Sequence, residues 1–264
     1  MGEERLVKMK AQVYTDPRPQ EYFDRFHERA RTREPDPMYE AVRVVTSLYA
    51  YSFFRVRSIG AHNVPGSGPV ILAPNHFSFM DHFFAGASIR RKVRFMAKSQ
   101  MFKPPLQFIY EHGGVFPVRR GVNDEEAFVT AETILGNGGL VCMYCEGGRS
   151  RTGELAEKPK RGIGRLALES GAPIVPVAIF GSAKVRNWKR LQFPRVTVQY
   201  GKPFRFPRVD KPEREQQQAV AEDIFREIKL LYAGLKQEGH ATIAARVRAE
   251  RRAARRAKRR TATA

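Results

Sequence analysis

Residues 69–81 read Pro-Val-Ile-Leu-Ala-Pro-Asn-His-Phe-Ser-Phe-Met-Asp. The apolar run Val-Ile-Leu-Ala is short and lies between prolines, which is typical of a strand buried in a sheet. A loop is expected after it, followed by a helix from Phe79 to Arg90. Because ligands of open α/β sheets bind at the carboxyl ends of the strands, this loop is a candidate functional site.

The chain beyond this loop continues to alternate strands and helices. Further strands are predicted at residues 93–97, 115–118, 140–144, 173–180 and 195–200. Helical patterns fall at 125–135 and 161–170, and Gly171 ends the second. This alternation predicts an α/β fold, a sandwich around a largely parallel or mixed sheet, over residues 61–240. A late helix is expected to pack on this domain through Val220, Ile224, Ile228, Leu231 and Leu235.

The N-terminal segment, residues 1–37, is highly charged and contains four prolines. This composition predicts a mobile arm that forms no core of its own. One short surface helix that presents Tyr22, Phe23 and Phe26 is expected within it.

The next segment, residues 38–60, contains the most apolar helical pattern, which covers residues 38–57. Its uncharged run from Val44 to Phe54 has eleven residues, too few to span a bilayer. Two interpretations stay open for this helix. It either packs on the domain or docks on a membrane surface.

The chain carries 47 Lys and Arg against 27 Asp and Glu, a net charge of +20. An Arg-rich tail, residues 241–264, holds nine of these basic residues against Glu250. Such a charge favours anionic partners, namely phospholipid, nucleic acid or phosphorylated metabolites. A nucleic-acid-binding protein acting through the tail is the rival class. The tail has no aromatic residue and no reading module is evident, so no specific nucleic-acid partner is expected.

Cys142 and Cys145 are the only cysteines, which favours a reducing compartment and excludes a disulfide framework. Positions three apart in a strand point to opposite faces, so their C-x-x-C spacing does not indicate a redox pair. The first residues are charged and lack the apolar stretch of a secretory signal. A cytoplasmic protein is therefore expected.

His76 and Asp81 form the first candidate site. If Ser78 caps the following helix, the Asp81 side chain turns back toward the loop that holds His76. A carboxylate on one imidazole nitrogen raises the basicity of the other, which suits removal of a proton from an alcohol. A simple capping box is the alternative. His82 is expected to serve packing or the surface, and these groups are too few for a metal site, so no metal is expected.

Basic residues follow three of the predicted strands. Arg149 lies on a Gly-rich turn after residues 140–144, where it and the backbone N–H groups suit a phosphate. Arg119, Arg120 and Lys98 follow two other strands. Ordinary turns with solvated cations are the alternative. Four such cations at successive strand ends indicate an anion site better than any one of them alone.

Four segments follow one another within about residues 60–205. They read Asn75-His76-x4-Asp81, Gly114-Val-Phe-Pro-Val-Arg-Arg120, Glu146-Gly-Gly-Arg149-Ser150 and Ile174-Val-Pro176-Val-Ala. Their order and spacing resemble the motifs of the glycerolipid acyltransferases typified by 1-acylglycerol-3-phosphate acyltransferase.

The resemblance implies a reaction and a set of roles. His76 would be the general base on an acceptor hydroxyl and Asp81 would orient it. The hydroxyl would then attack an acyl thioester, supplied by acyl-CoA or acyl-carrier protein as co-substrate, with no further cofactor. The acceptor would be a lysophospholipid, 1-acylglycerol 3-phosphate first, or alternatively another lysolipid or glycerol 3-phosphate. The implied substrate-binding residues are Lys98, Arg120, Glu146, Gly147, Arg149 and Ser150.

A lipid acceptor places the protein at an anionic phospholipid membrane, as a peripheral or monotopic protein of the cytoplasmic face. The apolar helix and the basic surface would dock it there. The chain departs from the family pattern at Gly148, where Thr is usual, and at Cys145, where Pro is usual. Gly148 therefore lacks the hydroxyl of the usual Thr, and this loss bears on how the acceptor is held. The doubled arginine leaves open whether Arg119 or Arg120 meets the phosphate.

Overall fold

The strand that begins at Val70 lies in the middle of a seven-stranded sheet. The computed structural model describes residues 6, 7, 9, 15–122 and 124–262, without the side chains of residues 189 and 258–262. In chain order the strands are β1 (Arg57–Ile59), β2 (Val70–Pro74), β3 (Arg94–Lys98), β4 (Phe116–Val118), β5 (Leu140–Cys142), β6 (Ile174–Phe180) and β7 (Thr197–Tyr200). The helices are α1 (Glu21–Thr32), α2 (Pro37–Phe53), α3 (Asp81–Ala87), α4 (Leu106–His112), α5 (Glu125–Gly136), α6 (Gly162–Ser170) and α7 (Arg214–Ala262).

The order of strands across the sheet is β1-β7-β6-β2-β5-β3-β4. Neighbouring strands are parallel except β6 and β7, which are antiparallel. The predicted α/β class with a largely parallel or mixed sheet is confirmed. Because β2, β5, β3 and β4 run in one direction, the loops after them meet at one edge of the sheet.

Helices cover both faces of the sheet. Val70 and Leu72 of β2 belong to the core under α2 and α3, whereas Ile71 and Ala73 belong to the core under α5, α6 and α7. This alternation is the two-residue period of a strand buried on both faces. Cys142 at the end of β5 lies in the first core, whereas Cys145, which falls in the turn after β5 and not in the predicted strand, lies in the second.

The interpretation of residues 1–37 as an arm with a surface helix is wrong for α1. Phe23 and Phe26 are buried, and the rings of Phe26 and Phe102 are 4.9 Å apart. The Nδ1 atom of His27 lies 2.9 Å from the Thr130 hydroxyl of α5. The charged side chains occupy the outer face of an amphipathic helix, and its aromatic face packs on the domain. The rest of the arm before residue 15 lies outside the described residues, apart from residues 6, 7 and 9.

Helix α2 begins where the Asp36 carboxylate accepts a hydrogen bond from the Met38 amide. It ends at Phe53, and the helix does not continue to residue 57, because Arg57 starts strand β1 beside β7. One face packs on the sheet through Ala50, while the other face exposes an apolar strip. The exposed side chains of this strip are Val44, Val45, Leu48, Tyr51 and Phe53.

Helix α7 confirms the late helix and extends it to Ala262, with a break at Gly239. Ile224, Ile228 and Leu235 are buried against the domain, as the spacing predicts. Beyond the break Ile243 is the last buried side chain among the described residues, and residues 248–257 are exposed. Within the described part of the chain, no helix has both the length and the apolar character needed to cross a bilayer.

Candidate active site

His76 and Asp81 are in direct contact at the carboxyl end of β2. The Asp81 Oδ2 atom lies 2.9 Å from His76 Nδ1 and also accepts hydrogen bonds from the amides of Phe77 and Ser78. Helix α3 begins at Asp81 and not at the predicted Phe79, because the loop before it is held by these two hydrogen bonds to the Asp81 carboxylate. The carboxylate turns back as predicted, although it is the first residue of the helix and not the third.

The environment of His76 favours a neutral imidazole. Burial lowers its pKa, and the cations Arg149 and Arg120 lower it further, while the Asp81 carboxylate opposes them. A neutral imidazole with Nδ1 facing a carboxylate carries its proton on Nδ1. Nε2 is then the atom with a lone pair for an incoming proton.

Tyr144 forms one wall of the histidine site. Its ring is stacked on the His76 imidazole, with centroids 3.9 Å apart and planes 20° apart. Its hydroxyl lies 3.0 Å from Nδ1 of His82. Burial lowers the pKa of His82 to about 3, so this imidazole is neutral near pH 7. His82 is half-buried and lines the cavity as the partner of the Tyr144 hydroxyl, in agreement with the packing alternative.

Glu146 joins the two loops that carry the motifs. Its Oε2 atom accepts a hydrogen bond of 2.7 Å from the His76 amide, and its Oε1 atom accepts one from the Ala156 amide. The His76 carbonyl in turn accepts the amide of Ser150. Both carboxylate oxygens are thus engaged by backbone, which makes Glu146 a support of the site.

Arg186 is a second link between these loops. Its guanidinium donates to the carbonyl of Phe77 at 2.8 Å and 3.0 Å, to that of Arg151 at 2.9 Å, and to that of Ser150. It lies on a 3-10 segment, Ser182–Arg190, that follows β6. The position of His76 relative to Arg149 therefore depends on a residue outside the four motifs.

A cavity of about 300 Å³ opens beside His76. Lys98, Arg120 and Arg149 line it together with the histidine. Most of the remaining wall is apolar and comes from α2, α3, β3, α4 and the loops next to them, including Val42, Phe79, Phe83, Phe95, Met96, Met101, Ile109 and Val115. The cavity therefore combines a base, three cations and a long apolar wall.

The structure separates the predicted substrate-binding residues into two groups. Lys98, Arg120 and Arg149 line the cavity. Glu146, Gly147 and Ser150 are not among its described lining residues, and their substrate-binding role stays a prediction. The Ser150 hydroxyl donates to the Glu154 carbonyl, and Gly147 forms a turn at φ 67° where a Cβ atom would meet Lys160.

The two arginines of the doubled pair lie in different surroundings. The Arg119 amide donates to Asp124 and the Arg119 guanidinium to Gln20 Oε1 at 3.0 Å. Arg120 lines the cavity instead. No group of three His, Cys, Asp or Glu side chains suited to a metal ion occurs within the described ranges.

The structure adds Tyr144 and Arg186 to the residues expected from sequence. Tyr144 stands two residues before Glu146, so its place beside a motif was the one available signal. Arg186 is 109 positions from its partner Phe77, and nothing local in the sequence connects the two.

Comparisons with known proteins point to the same family as the four motifs. Residues 55–180 match the family model described as Acyltransferase. A chloroplastic 1-acyl-sn-glycerol-3-phosphate acyltransferase of Arabidopsis thaliana is 26% identical over 185 residues, 67% of this chain and 51% of that protein. A chloroplastic 1-acyl-sn-glycerol-3-phosphate acyltransferase of Brassica napus is 27% identical over 143 residues, 53% of this chain and 41% of that protein. The chain thus spans about half the length of the curated relatives it matches or less.

A solved structure shares the fold. The crystal structure of a 1-acyl-sn-glycerophosphate acyltransferase from Thermotoga maritima matches with a TM-score of 0.51 and 22% identity. The match covers 80% of this chain and 89% of that one. The resemblance drawn from the four motifs is confirmed, since residues 55–180 match the acyltransferase family model and the curated relatives are 1-acyl-sn-glycerol-3-phosphate acyltransferases.

Proposed function

We propose that the protein transfers a fatty acyl group from a thioester to the free hydroxyl of a lysophospholipid, 1-acylglycerol 3-phosphate in the first place. One observation carries the proposal. A histidine held by a buried carboxylate lies in a cavity that offers three cations and an extended apolar wall. The names of the curated relatives support this choice of acceptor.

The chemistry is a direct transfer. His76 Nε2 takes the proton of the acceptor hydroxyl as the oxygen attacks the thioester carbonyl carbon. The new C–O ester bond forms, the C–S bond breaks, and the proton passes from His76 to the departing thiolate. Asp81 keeps the imidazole oriented and stabilises its protonated form during the transfer.

The cavity divides the substrates by polarity. Lys98, Arg120 and Arg149 hold the phosphate of the acceptor, since arginine binds phosphate by two parallel hydrogen bonds. The apolar wall suits a hydrocarbon chain, for which each buried CH₂ contributes about 0.8 kcal/mol. The donor thioester is carried by coenzyme A or by acyl-carrier protein.

A lipid acceptor requires contact with a bilayer. The exposed strip of α2 and the net charge of +20 support docking on the cytoplasmic face of an anionic membrane, as a peripheral or monotopic protein. The two interpretations of α2 are then complementary, because one face packs on the sheet while the other meets lipid.

The test is a transfer assay with purified protein, both donors and several acceptors, namely glycerol 3-phosphate, lysophosphatidate and neutral lysophospholipids. We expect lysophosphatidate to be the best acceptor. His76→Ala should lose activity at least about 10²-fold and remain folded, whereas His62→Ala, far from the cavity, should stay active. Transfer to none of these acceptors contradicts the function, and full activity of folded His76→Ala contradicts the mechanism.

The role of the cations has its own readout. Arg149→Met should raise KM for lysophosphatidate more than for monoacylglycerol, because monoacylglycerol has no phosphate that could lose its counter-ion. An equal rise for both acceptors contradicts a phosphate contact.

A further inference from the structure

Two large apolar side chains project from the segment after β6. Trp188 is 50% exposed and Leu191 is 81% exposed, the highest value among the exposed large hydrophobic residues described. Leu191 has φ 56°, a left-handed conformation that a bulky residue rarely adopts. The backbone is thus fixed in an unfavourable conformation while it holds a leucine in solvent.

The segment that carries these side chains meets the end of α2 at Phe193. The ring of Phe193 lies 5.2 Å from Phe53, a member of the exposed strip, and 5.7 Å from Phe54. Arg55 also donates to the Phe193 carbonyl at 2.8 Å. The segment after β6 is therefore joined to the end of the exposed strip of α2.

Charge indicates what covers this surface. Lys184 and Arg190 are exposed in the same segment. Trp at the edge of an apolar surface, with basic residues around it, is typical of the interface between water and lipid. An anionic membrane is the partner that fits this combination of exposed basic side chains and an exposed tryptophan.

The segment is also tied to the catalytic loops. Arg186, two residues before Trp188, donates to the carbonyls of Phe77 and Ser150. Whatever Trp188 and Leu191 contact is therefore close to the loops that hold His76 and Arg149. A lipid acceptor would leave the bilayer beside the cavity.

We propose that residues 182–193 form a second bilayer contact, in which Trp188 and Leu191 enter the interface of an anionic membrane next to the α2 strip. The proposal rests on the proposed function, because a membrane-borne acceptor is what makes this contact useful. It assigns to this segment a role in presenting the acceptor that lies outside the four motifs.

Trp188 is the only tryptophan of the chain, so its fluorescence reports on this segment alone. The full-length protein is titrated with phosphatidylcholine vesicles that contain phosphatidylglycerol. We expect the emission to shift to shorter wavelength and to be quenched by lipids brominated along their acyl chains. Vesicle binding by co-sedimentation without either signal would overturn the proposal.

A matched pair of leucine variants measures the contribution of the segment. Leu191→Ser should weaken vesicle binding about tenfold. Leu230→Ser removes a leucine that is 61% exposed on α7 and should bind like the unchanged protein. Equal loss in both variants, or loss in neither, contradicts the proposal.

Two further outcomes keep this proposal separate from the proposed function. A blue shift that depends on protein concentration without lipid would assign the surface to a second copy of the chain and overturn the bilayer contact. Acyl transfer to acceptor below its micellar concentration tests the function without a bilayer. Activity there with no vesicle signal from Trp188 retains the function and removes the proposed contact.

Discussion

Asp81 fixes the geometry of the site at the scale of a single residue. One buried oxygen, Oδ2, receives the His76 imidazole and two backbone amides, while Oδ1 is buried without a hydrogen-bond partner among the described residues. The carboxylate thus shapes the loop and orients the His76 imidazole at the same time. The capping interaction and the contact with His76, which were alternatives in the sequence, are one arrangement here.

Asp81→Asn is expected to lower kcat/KM by about 10²-fold or more, because an amide stabilises the protonated imidazole poorly. The substitution should also lower the free energy of unfolding by about 1–3 kcal/mol. The side-chain NH₂ group of the asparagine would either be buried without an acceptor or face the N–H groups of Phe77 and Ser78. Steady-state kinetics and chemical denaturation measure the two effects. An unchanged kcat/KM would show that the carboxylate serves the loop alone.

The pH dependence of kcat/KM follows from His76. Catalysis needs the neutral imidazole, and burial lowers the pKa of His76 below its ordinary 6.5. Activity should therefore persist to lower pH than an exposed histidine would allow. Because Asp81 raises this pKa, Asp81→Asn should move the acid limb further down. A limb that moves up in the variant contradicts the assignment of His76 as the base.

Two variants of Tyr144 distinguish the contribution of ring stacking from that of hydrogen bonding. Tyr144→Phe keeps the ring on His76 but removes the bond to His82, so kcat should change by less than about threefold. Tyr144→Leu removes the stacked face as well, and kcat should fall about tenfold with little change in KM. Equal kcat values for the two variants would show that the stack does not position the base.

Glu146 acts at the scale of elements, because it joins the loop after β2 to the loop after β5. Burial raises its pKa to about 7 from an ordinary 4.5, against the amides that it accepts. Between these values the folded protein keeps a proton that the unfolded chain has released. This group therefore contributes stability at low pH that is lost as pH rises toward 7, up to about 3 kcal/mol.

Glu146→Gln should remove that pH dependence. The free energy of unfolding of the unchanged protein, minus that of the variant, should fall between about pH 4.5 and 7. Denaturant titrations at several pH values give this difference. Glu154→Gln, an exposed change in the same loop, is the control and should show a flat difference. A flat difference for Glu146→Gln would place its carboxyl in its ordinary pKa range.

The elements that the sequence predicts are those with a strong local pattern. β2 and β6 are apolar runs next to proline, and α6 ends at Gly171, whose φ is 59°. β1 is not predicted from the sequence, because a strand of three residues with one buried side chain is too short to show an alternation of apolar and polar residues. α1 was misplaced on the surface because its charged face dominates the composition.

The site shows the same division. His76, Asp81, Lys98, Arg120 and Arg149 follow strands, and parallel strands bring their ends together. Which side chains then point into the cavity depends on contacts between distant segments. The Arg119 guanidinium donates to Gln20, and the Glu146 carboxylate accepts the His76 amide. Both hydrogen bonds join residues that are far apart in the sequence, so no local pattern predicts them.

At the scale of the whole molecule, one part of α7 packs on the domain and a different part carries the positive charge. The helix packs on the domain as far as Ile243, whereas residues 248–262 hold eight basic residues against Glu250. No apolar residue larger than alanine occurs among them. A helix of this composition attracts anionic surfaces by charge and has nothing to insert.

Removal of residues 248–264 should therefore leave the fold and the transfer to acceptor below its micellar concentration unchanged. Binding to vesicles with anionic lipid should weaken, and most of the difference should vanish at about 0.5 M salt, because exposed charges are screened there. Co-sedimentation over a range of salt concentrations measures this. The Trp188 signal should survive in whatever truncated protein is bound, since an apolar contact resists salt. If the truncation weakened vesicle binding equally at all salt concentrations, the tail would be needed for the stability of the domain and not for electrostatic contact with the membrane.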